Sequence, residues 1–208
     1  LATGEKIAAW ALTEPNTGSD ASALETTAVM EGSNYHINGS KLFISNADVA
    51  DIIIVFATQD TSKKTKGISA FIVEKGAPGL TINPQHGKLG VRGSTTAELI
   101  FNDTEVPNFN LLGKEGAGFN YAMEILDSSR IVIAAQCVGI AQSALDCSLS
   151  YSKQRRSFGK YLSEHQAIQF MLADMGTQIH MSRTATMYAA SLKDKGLPHT
   201  KEAAMAKL

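Results

Sequence analysis

The stretch Val106-Pro107-Asn108-Phe109-Asn110-Leu111-Leu112-Gly113 divides two textures in a sequence of 208 residues. On its N-terminal side the apolar runs are short: Ile7 to Leu12, Thr26 to Met30, Tyr35 to Ile37, Lys41 to Ser45, Asp51 to Ala57, Ile68 to Val73, Leu80 to Ile82 and Glu98 to Phe101. Asn38-Gly39, Lys66-Gly67, Pro78-Gly79 and Asn102-Asp103 separate them, all residue types that suit turns. Many short strands at this spacing predict an antiparallel β-sandwich or barrel.

On the C-terminal side, Phe119, Met123, Leu126, Ile133, Cys137, Ala141, Leu145 and Leu149 recur at three-, four- and seven-residue spacings with no internal proline. This predicts one long helix reaching about Ser152. A second helix is expected to open at Ser163, whose hydroxyl can cap the third amide while Gln166 reaches back, and to run to about Lys195. Lys193, Lys195, Gly196 and Pro198 are C-terminal signals. Thr200 can cap a third helix, which the sequence follows for barely two turns. The predicted fold is therefore α+β, with an antiparallel β-domain over 1–106 and a truncated, up-down helical bundle over 107–208.

A hydrophobic content of 44% with 19% charged residues suits a folded domain. A net charge of −1 supplies no basic field for a phosphate backbone, and Lys63-Lys64 and Arg155-Arg156 are isolated pairs, so a nucleic-acid partner is not expected. The uncharged run from Ile131 to Leu145 is too short to cross a bilayer, and no integral membrane segment is expected. Cys137 and Cys147 lie ten positions apart in one helical pattern, about 15 Å along the axis, too far to bridge. No clustered histidines or Cys-x-x-Cys pattern suggests a metal site, and no leader pattern opens the sequence.

Trp10-Ala11-Leu12-Thr13 reads as a strand stopping in the dense turn Glu14-Pro15-Asn16-Thr17-Gly18-Ser19-Asp20. By its residues alone this is a hairpin connection or a polar-ligand loop. Lys41-Leu42-Phe43-Ile44-Ser45-Asn46 repeats the arrangement of an aromatic and a hydroxyl at a strand end, and two such ends could flank a flat polar ring.

Together these stretches carry a resemblance. Thr13-Glu14-Pro15-Asn16-Thr17-Gly18-Ser19-Asp20 resembles the T-E-P-x-x-G-S-D signature of the acyl-CoA dehydrogenases. In the same order follow Asn38 to Asn46, Gly67 to Val73, Pro78-Gly79, Leu89-Gly90-Val91-Arg92-Gly93-Ser94, Val106-Pro107, Gly116-Ala117-Gly118-Phe119, Asp127 with Arg130, Gln154 to Lys160, and His165-Gln166-Ala167-Ile168. The resemblance covers essentially all 208 residues, and many spaced motifs in one order make chance a poor explanation.

The resemblance implies a middle β-domain and the start of a C-terminal four-helix bundle, with an N-terminal helical domain and the rest of the bundle lying outside the sequence. It implies FAD as cofactor, contacted by Trp10, Leu12, Thr13, Ser19, Phe43, Ile44 and Ser45. Many relatives have Trp-Ile-Thr where Phe43-Ile44-Ser45 stands; Phe keeps a packing face and Ser a donor. Arg155, Ser157, His165 and Gln166 match positions that reach the FAD of a neighbouring subunit, implying a homodimer or homotetramer. Ser19, Ser94, Asp127, Ser129 and Arg130 are carried over as substrate contacts to a thioester-CoA. From the residues alone, Asp127 and Arg130 at i, i+3 read equally as an intrahelical ion pair.

The implied reaction removes the α-proton of an acyl-CoA with a carboxylate base and transfers the β-hydride to the flavin, giving a trans-2-enoyl-CoA. Most relatives carry the glutamate base late in the C-terminal domain; a minority place it immediately before the matching arginine, where this sequence has Ser129. The base is therefore expected beyond Leu208 and none within the sequence. Electron transfer flavoprotein is the implied electron acceptor, and a soluble location in the cytoplasm or mitochondrial matrix the implied setting. An acyl-CoA oxidase of the same fold and a non-catalytic flavin- or CoA-binding scaffold are the alternatives. The look of Asn38 to Ala57 favours short-chain members.

Overall fold

A computed structural model describes residues 1–208. Seven strands come first: β1 (Ala8–Ala11), β2 (Thr27–Glu31), β3 (Asn34–Ser45), β4 (Ile52–Thr58), β5 (Ile68–Glu74), β6 (Leu80–Pro84) and β7 (Thr96–Pro107). Then follow α1 (Gly118–Ser152), the two-residue strands β8 (Arg156–Ser157) and β9 (Lys160–Tyr161), α2 (Gln166–Asp194) and α3 (Thr200–Lys207). The chain separates within the first turns of α1 into a β unit, Leu1–Ala122, and a helical unit, Met123–Leu208.

The β unit corrects the expectation of an antiparallel sheet. β1 runs parallel to β4, pairing Ala8 to Ala11 with Ile52 to Val55, and β2 meets β4 in parallel at Thr27 and Thr58. The β2–β3, β3–β7, β6–β7 and β4–β5 pairs are antiparallel. Just past β1, the Leu42 N–H of β3 donates to the Thr13 carbonyl at 2.9 Å, so the mixed sheet curls into a half-barrel. Pattern alone could not distinguish the parallel pairs, because an alternating strand buries the same face whichever way its neighbour runs.

Two other expectations change for one reason. Asn38-Gly39 and Asn102-Asp103 look like turns, yet they lie inside β3 and β7, opposite one another at a register shift. The Asn38 side-chain oxygen accepts the Asp103 N–H at 2.8 Å, and Asp103 adopts a φ of 53°. This is a β-bulge: the extra residue on β7 moves its inward set from Ala97, Leu99 and Phe101 to Thr104 and Val106. Gly39 is required here, because a Cβ at this position would stand 2.8 Å from the Thr26 Cα.

The half-barrel core includes Ala11, Ile37, Ile53, Val55, Phe71, Leu99 and Val106, all at most 1% exposed. Tyr35 meets Phe71 edge-on with ring centroids 4.8 Å apart. The β unit closes on the first residues of α1, where a Cβ on Gly118 would lie within 3 Å of the Ser69 and Ala70 backbone.

In the helical unit α1 and α2 run up and down: Leu145 lies beside Gly176, Arg183 donates to the Gln142 side-chain oxygen at 2.8 Å, and Ile131 packs with Ala189 and with Ala203 of α3. α1 matches the predicted span. The predicted caps do not hold. Gln166 begins α2 with His165 as its uncapped N-cap, while Glu164 satisfies the Tyr161 N–H at 2.6 Å in the preceding 3-10 turn. His199, not Thr200, is the N-cap of α3.

The apolar character of α1 bears on the membrane expectation without overturning it, since a core helix of a soluble protein has the same length and composition. α1 is 35 residues long, and an 18-residue window with mean hydropathy 1.4 makes it long and apolar enough to cross a membrane by length and composition.

Candidate functional site

The buried centre of the signature turn is an ion pair. Lys41, on β3, is fully buried, and Glu14 is 3% exposed. The Lys41 ammonium donates to a Glu14 carboxylate oxygen at 2.8 Å and to the Leu12 carbonyl at 3.1 Å. Glu14 also accepts the Glu25 N–H at 2.7 Å and the Thr26 N–H at 3.0 Å. Burial acts to raise the Glu14 carboxyl, but the Lys41 charge and these donors outweigh it and hold the group below its ordinary value. Burial pushes Lys41 down to about 8, against the pull of Glu14.

Both residues lie within the quoted motifs, yet sequence reasoning assigned them nothing. A lysine in a strand ordinarily marks a solvated face, and only the pairing of a turn carboxylate with an inward β3 position would have signalled burial.

The residues expected at a flavin edge lie on β1, β3 and the segments that follow them. Trp10 stands on the face of β1 opposite Ala9 and Ala11, with its ring centroid 4.6 Å from that of Phe56. Leu12 is buried and Thr13 half-buried. On β3 a second register shift falls between Lys41 and Ile44, where Leu42 and Phe43 stand against Glu98 alone. Phe43 takes a φ of 60°, a left-handed conformation that costs a non-glycine residue about 1–3 kcal/mol and persists only where its surroundings impose it.

The bulge turns the Phe43 ring outward, 63% exposed, and sends Ile44 into the core at 2%. Ser45 follows, facing solvent. Asn46, next in line, donates its N–H to the Thr95 carbonyl at 3.1 Å, which brings Ser94 and Thr95 to the same strand end. Lys88 bonds the Ser94 and Val91 carbonyls and the Thr96 hydroxyl, and so shapes the loop that presents Ser94. Ser19 lies exposed in the turn after Glu14.

In the helical unit Asp127 and Arg130 are bonded to one another on α1, and the second Asp127 oxygen accepts the Thr200 hydroxyl at 2.6 Å. Thr200, expected only as a cap, thus joins the pair. The Ser129 hydroxyl donates to the Leu126 carbonyl at 2.9 Å and is occupied within the helix. Further on, β8 and β9 form a hairpin whose two turn residues, Phe158 and Gly159, have φ of 46° and 80°, the geometry suited to a tight hairpin. Phe158 stands at its tip, 96% exposed. The ring of His165 lies 3.2 Å from the Ser157 carbonyl, Arg155 and Gln166 face solvent, and Arg156 stacks on Tyr161. Arg155, Ser157, His165 and Gln166 are thereby gathered around one short connection.

The sequence profile of the acyl-CoA dehydrogenase middle domain matches residues 9–104, and that of the acyl-CoA dehydrogenase C-terminal domain matches residues 116–208. The chain is 52% identical over 208 residues to the short-chain specific acyl-CoA dehydrogenase of Clostridium acetobutylicum, covering all of this chain and 55% of that protein. Among solved structures it resembles butyryl-CoA dehydrogenase from Megasphaera elsdenii, with a TM-score of 0.93 and 50% identity over 98% of this chain and 53% of that one. It also resembles PigA with FAD and proline, with a TM-score of 0.94 and 33% identity over 98% and 53% of the two chains. The chain thus spans about half the length of the relatives it matches. With both domain profiles matched in order and the signature strand ends brought to one edge, the chain belongs to the acyl-CoA dehydrogenase family.

Proposed function

We propose that the protein containing these 208 residues is an FAD-dependent acyl-CoA dehydrogenase that oxidises a short-chain acyl-CoA to the trans-2-enoyl-CoA. The observation that carries this reading is the bond from the Leu42 N–H to the Thr13 carbonyl, which sets two strand ends bearing outward aromatic and hydroxyl groups side by side. A strained bulge that turns Phe43 away from the core suits a flat ring as its neighbour. FAD, when bound, supplies the acceptor for the hydride leaving the β-carbon. Trp10, Thr13, Phe43 and Ser45 would hold it, the rings by packing and the hydroxyls by donating to its polar edge, with Leu12 and Ile44 contributing backbone.

Ser19, Ser94, Asp127 and Arg130 are proposed to bind the thioester-CoA. Arg130 carries the charge suited to an anionic or polar ligand, with Asp127 fixed by Thr200 to orient it. The proton acceptor is proposed to lie outside these residues. Glu14 is neutralised by Lys41 and its oxygens are taken by backbone donors, and Ser129 is a hydroxyl already bonded to Leu126. Arg155, Ser157, His165 and Gln166, on a connection ending in the exposed Phe158, support a role across a subunit boundary in a homodimer or homotetramer. Electron transfer flavoprotein as acceptor and a soluble cytoplasmic or mitochondrial location follow from the family reading.

The test is anaerobic titration of the full-length protein with butyryl-CoA and with palmitoyl-CoA, followed by flavin absorbance. Bleaching is expected with the short chain first. Absence of bleaching with both overturns the reading.

A further inference from the structure

Lys41 and Glu14 take part in no chemistry proposed above, and their burial calls for a reason other than stability. Replacing a buried ion pair with apolar groups of similar volume is often neutral or stabilising, so such pairs are poor stability devices. Their position in β3 supplies the reason. The strand breaks register twice, between Ile37 and Gly39 and again between Lys41 and Ile44. Only Gly39, Ser40 and Lys41 remain paired between the two breaks.

So short a paired segment specifies its register weakly. A slip of one residue exchanges the faces of every side chain beyond it. Here that exchange would bury Phe43 and expose Ile44. Lys41 is the last paired residue before the second break, and its ammonium reaches the Leu12 carbonyl while the next residue's N–H takes the Thr13 carbonyl. Consecutive β3 residues are thus matched to consecutive carbonyls of the signature strand. Glu14 fixes the other side of the match by binding the Glu25 and Thr26 amides.

We propose, resting on the reading of this edge as the flavin site, that the Glu14–Lys41 pair is a positioning lock that selects the β3 register in which Phe43 and Ser45, rather than Ile44, face the cofactor. A lysine is suited to this because its ammonium offers several donors at the end of a long stem, so one side chain can test two acceptors at once. An apolar residue would fill the volume without distinguishing one register from the next.

The test uses full-length holoprotein carrying Glu14→Gln with Lys41→Met, which removes both charges together and leaves neither buried alone. Val106→Ala, at the other end of β7, is the control for loss of stability without loss of the lock. FAD affinity, the visible flavin band, and hydrogen exchange at the Leu42 amide are the readouts. The double variant is expected to bind FAD about tenfold more weakly, with a shifted flavin band and faster Leu42 exchange, at temperatures where circular dichroism reports it folded. Val106→Ala is expected to leave the affinity and the band unchanged. If Lys41→Met destroys folding, Glu14→Gln alone carries the same expectation in smaller measure. A folded double variant matching wild type in affinity, band and exchange overturns the lock and leaves the flavin reading intact. A wild-type protein that holds no FAD overturns both.

Discussion

The β unit and the helical unit solve the burial problem in opposite ways. In the half-barrel, backbone groups find partners only on neighbouring strands, so the sheet cannot form without gathering its core, and even a charged pair is enclosed there. The helices satisfy their backbones internally. They retain their form while Val132, Ile140, Phe170, Met171 and Met187 are each about 60% exposed or more, beside a small buried cluster of Ile131, Ala189 and Ala203. The sequence of the β unit therefore specifies both its elements and their partners, whereas that of the helical unit specifies elements with apolar surface still to cover.

This contrast is open to measurement. The largest effect is expected in the β unit, where Phe71→Ala should cost about 3–5 kcal/mol because the ring is fully buried against Tyr35. Met171→Ala in the same 208-residue chain should cost less than about 0.5 kcal/mol, since that side chain is 59% exposed. Urea unfolding monitored for each unit separates the two; equal losses would erase the contrast.

The next effect sharpens what the helical unit is for. Asp127 and Arg130 are partly exposed, so as an ion pair they are worth about 1 kcal/mol at most. If the full-length protein has the proposed function, Arg130→Ala should nevertheless slow flavin reduction by acyl-CoA by more than the roughly fivefold that such a loss would produce. Single-turnover reduction measures this, and an unchanged rate returns the pair to a purely structural role.

The smallest effect belongs to pH. The native Glu14 carboxyl sits below its ordinary value of 4.5, so the unfolded chain takes up its proton first as the solution is acidified. Its stabilisation is complete above that value and is lost as pH falls through the lower native one. Thermal unfolding of the β unit between pH 6 and about 3 should show this acid limb, and Glu14→Gln should flatten it.

Much of this architecture was legible. The apolar runs at Asp51 to Ala57 and Ile68 to Val73 became β4 and β5 almost residue for residue, and the helical periodicity delivered α1, because these patterns report burial of a single face. Asn38-Gly39 misled because a bulge uses the same backbone freedom as a turn. The parallel pairing of β1 with β4 depends on residues more than forty positions apart, which no local pattern encodes. At the candidate site, the motifs drew attention to Phe43 and Thr13, but not to the bulge that turns Phe43 outward. The burial of Lys41 was not anticipated, because its partner Glu14 lies in a different motif and only folding sets them together.

The length of α1 has its own consequence. From Arg130 to Ser152 the helix advances about 33 Å, so a small ligand held at the Asp127–Arg130 end cannot also touch the hairpin that follows the other end. On the proposed function, the two groups of polar residues in the helical unit would answer to different molecules, or to distant parts of one long one. Substitutions at Arg130 and Arg155 should then combine additively, with α1 serving as the ruler that keeps their effects apart.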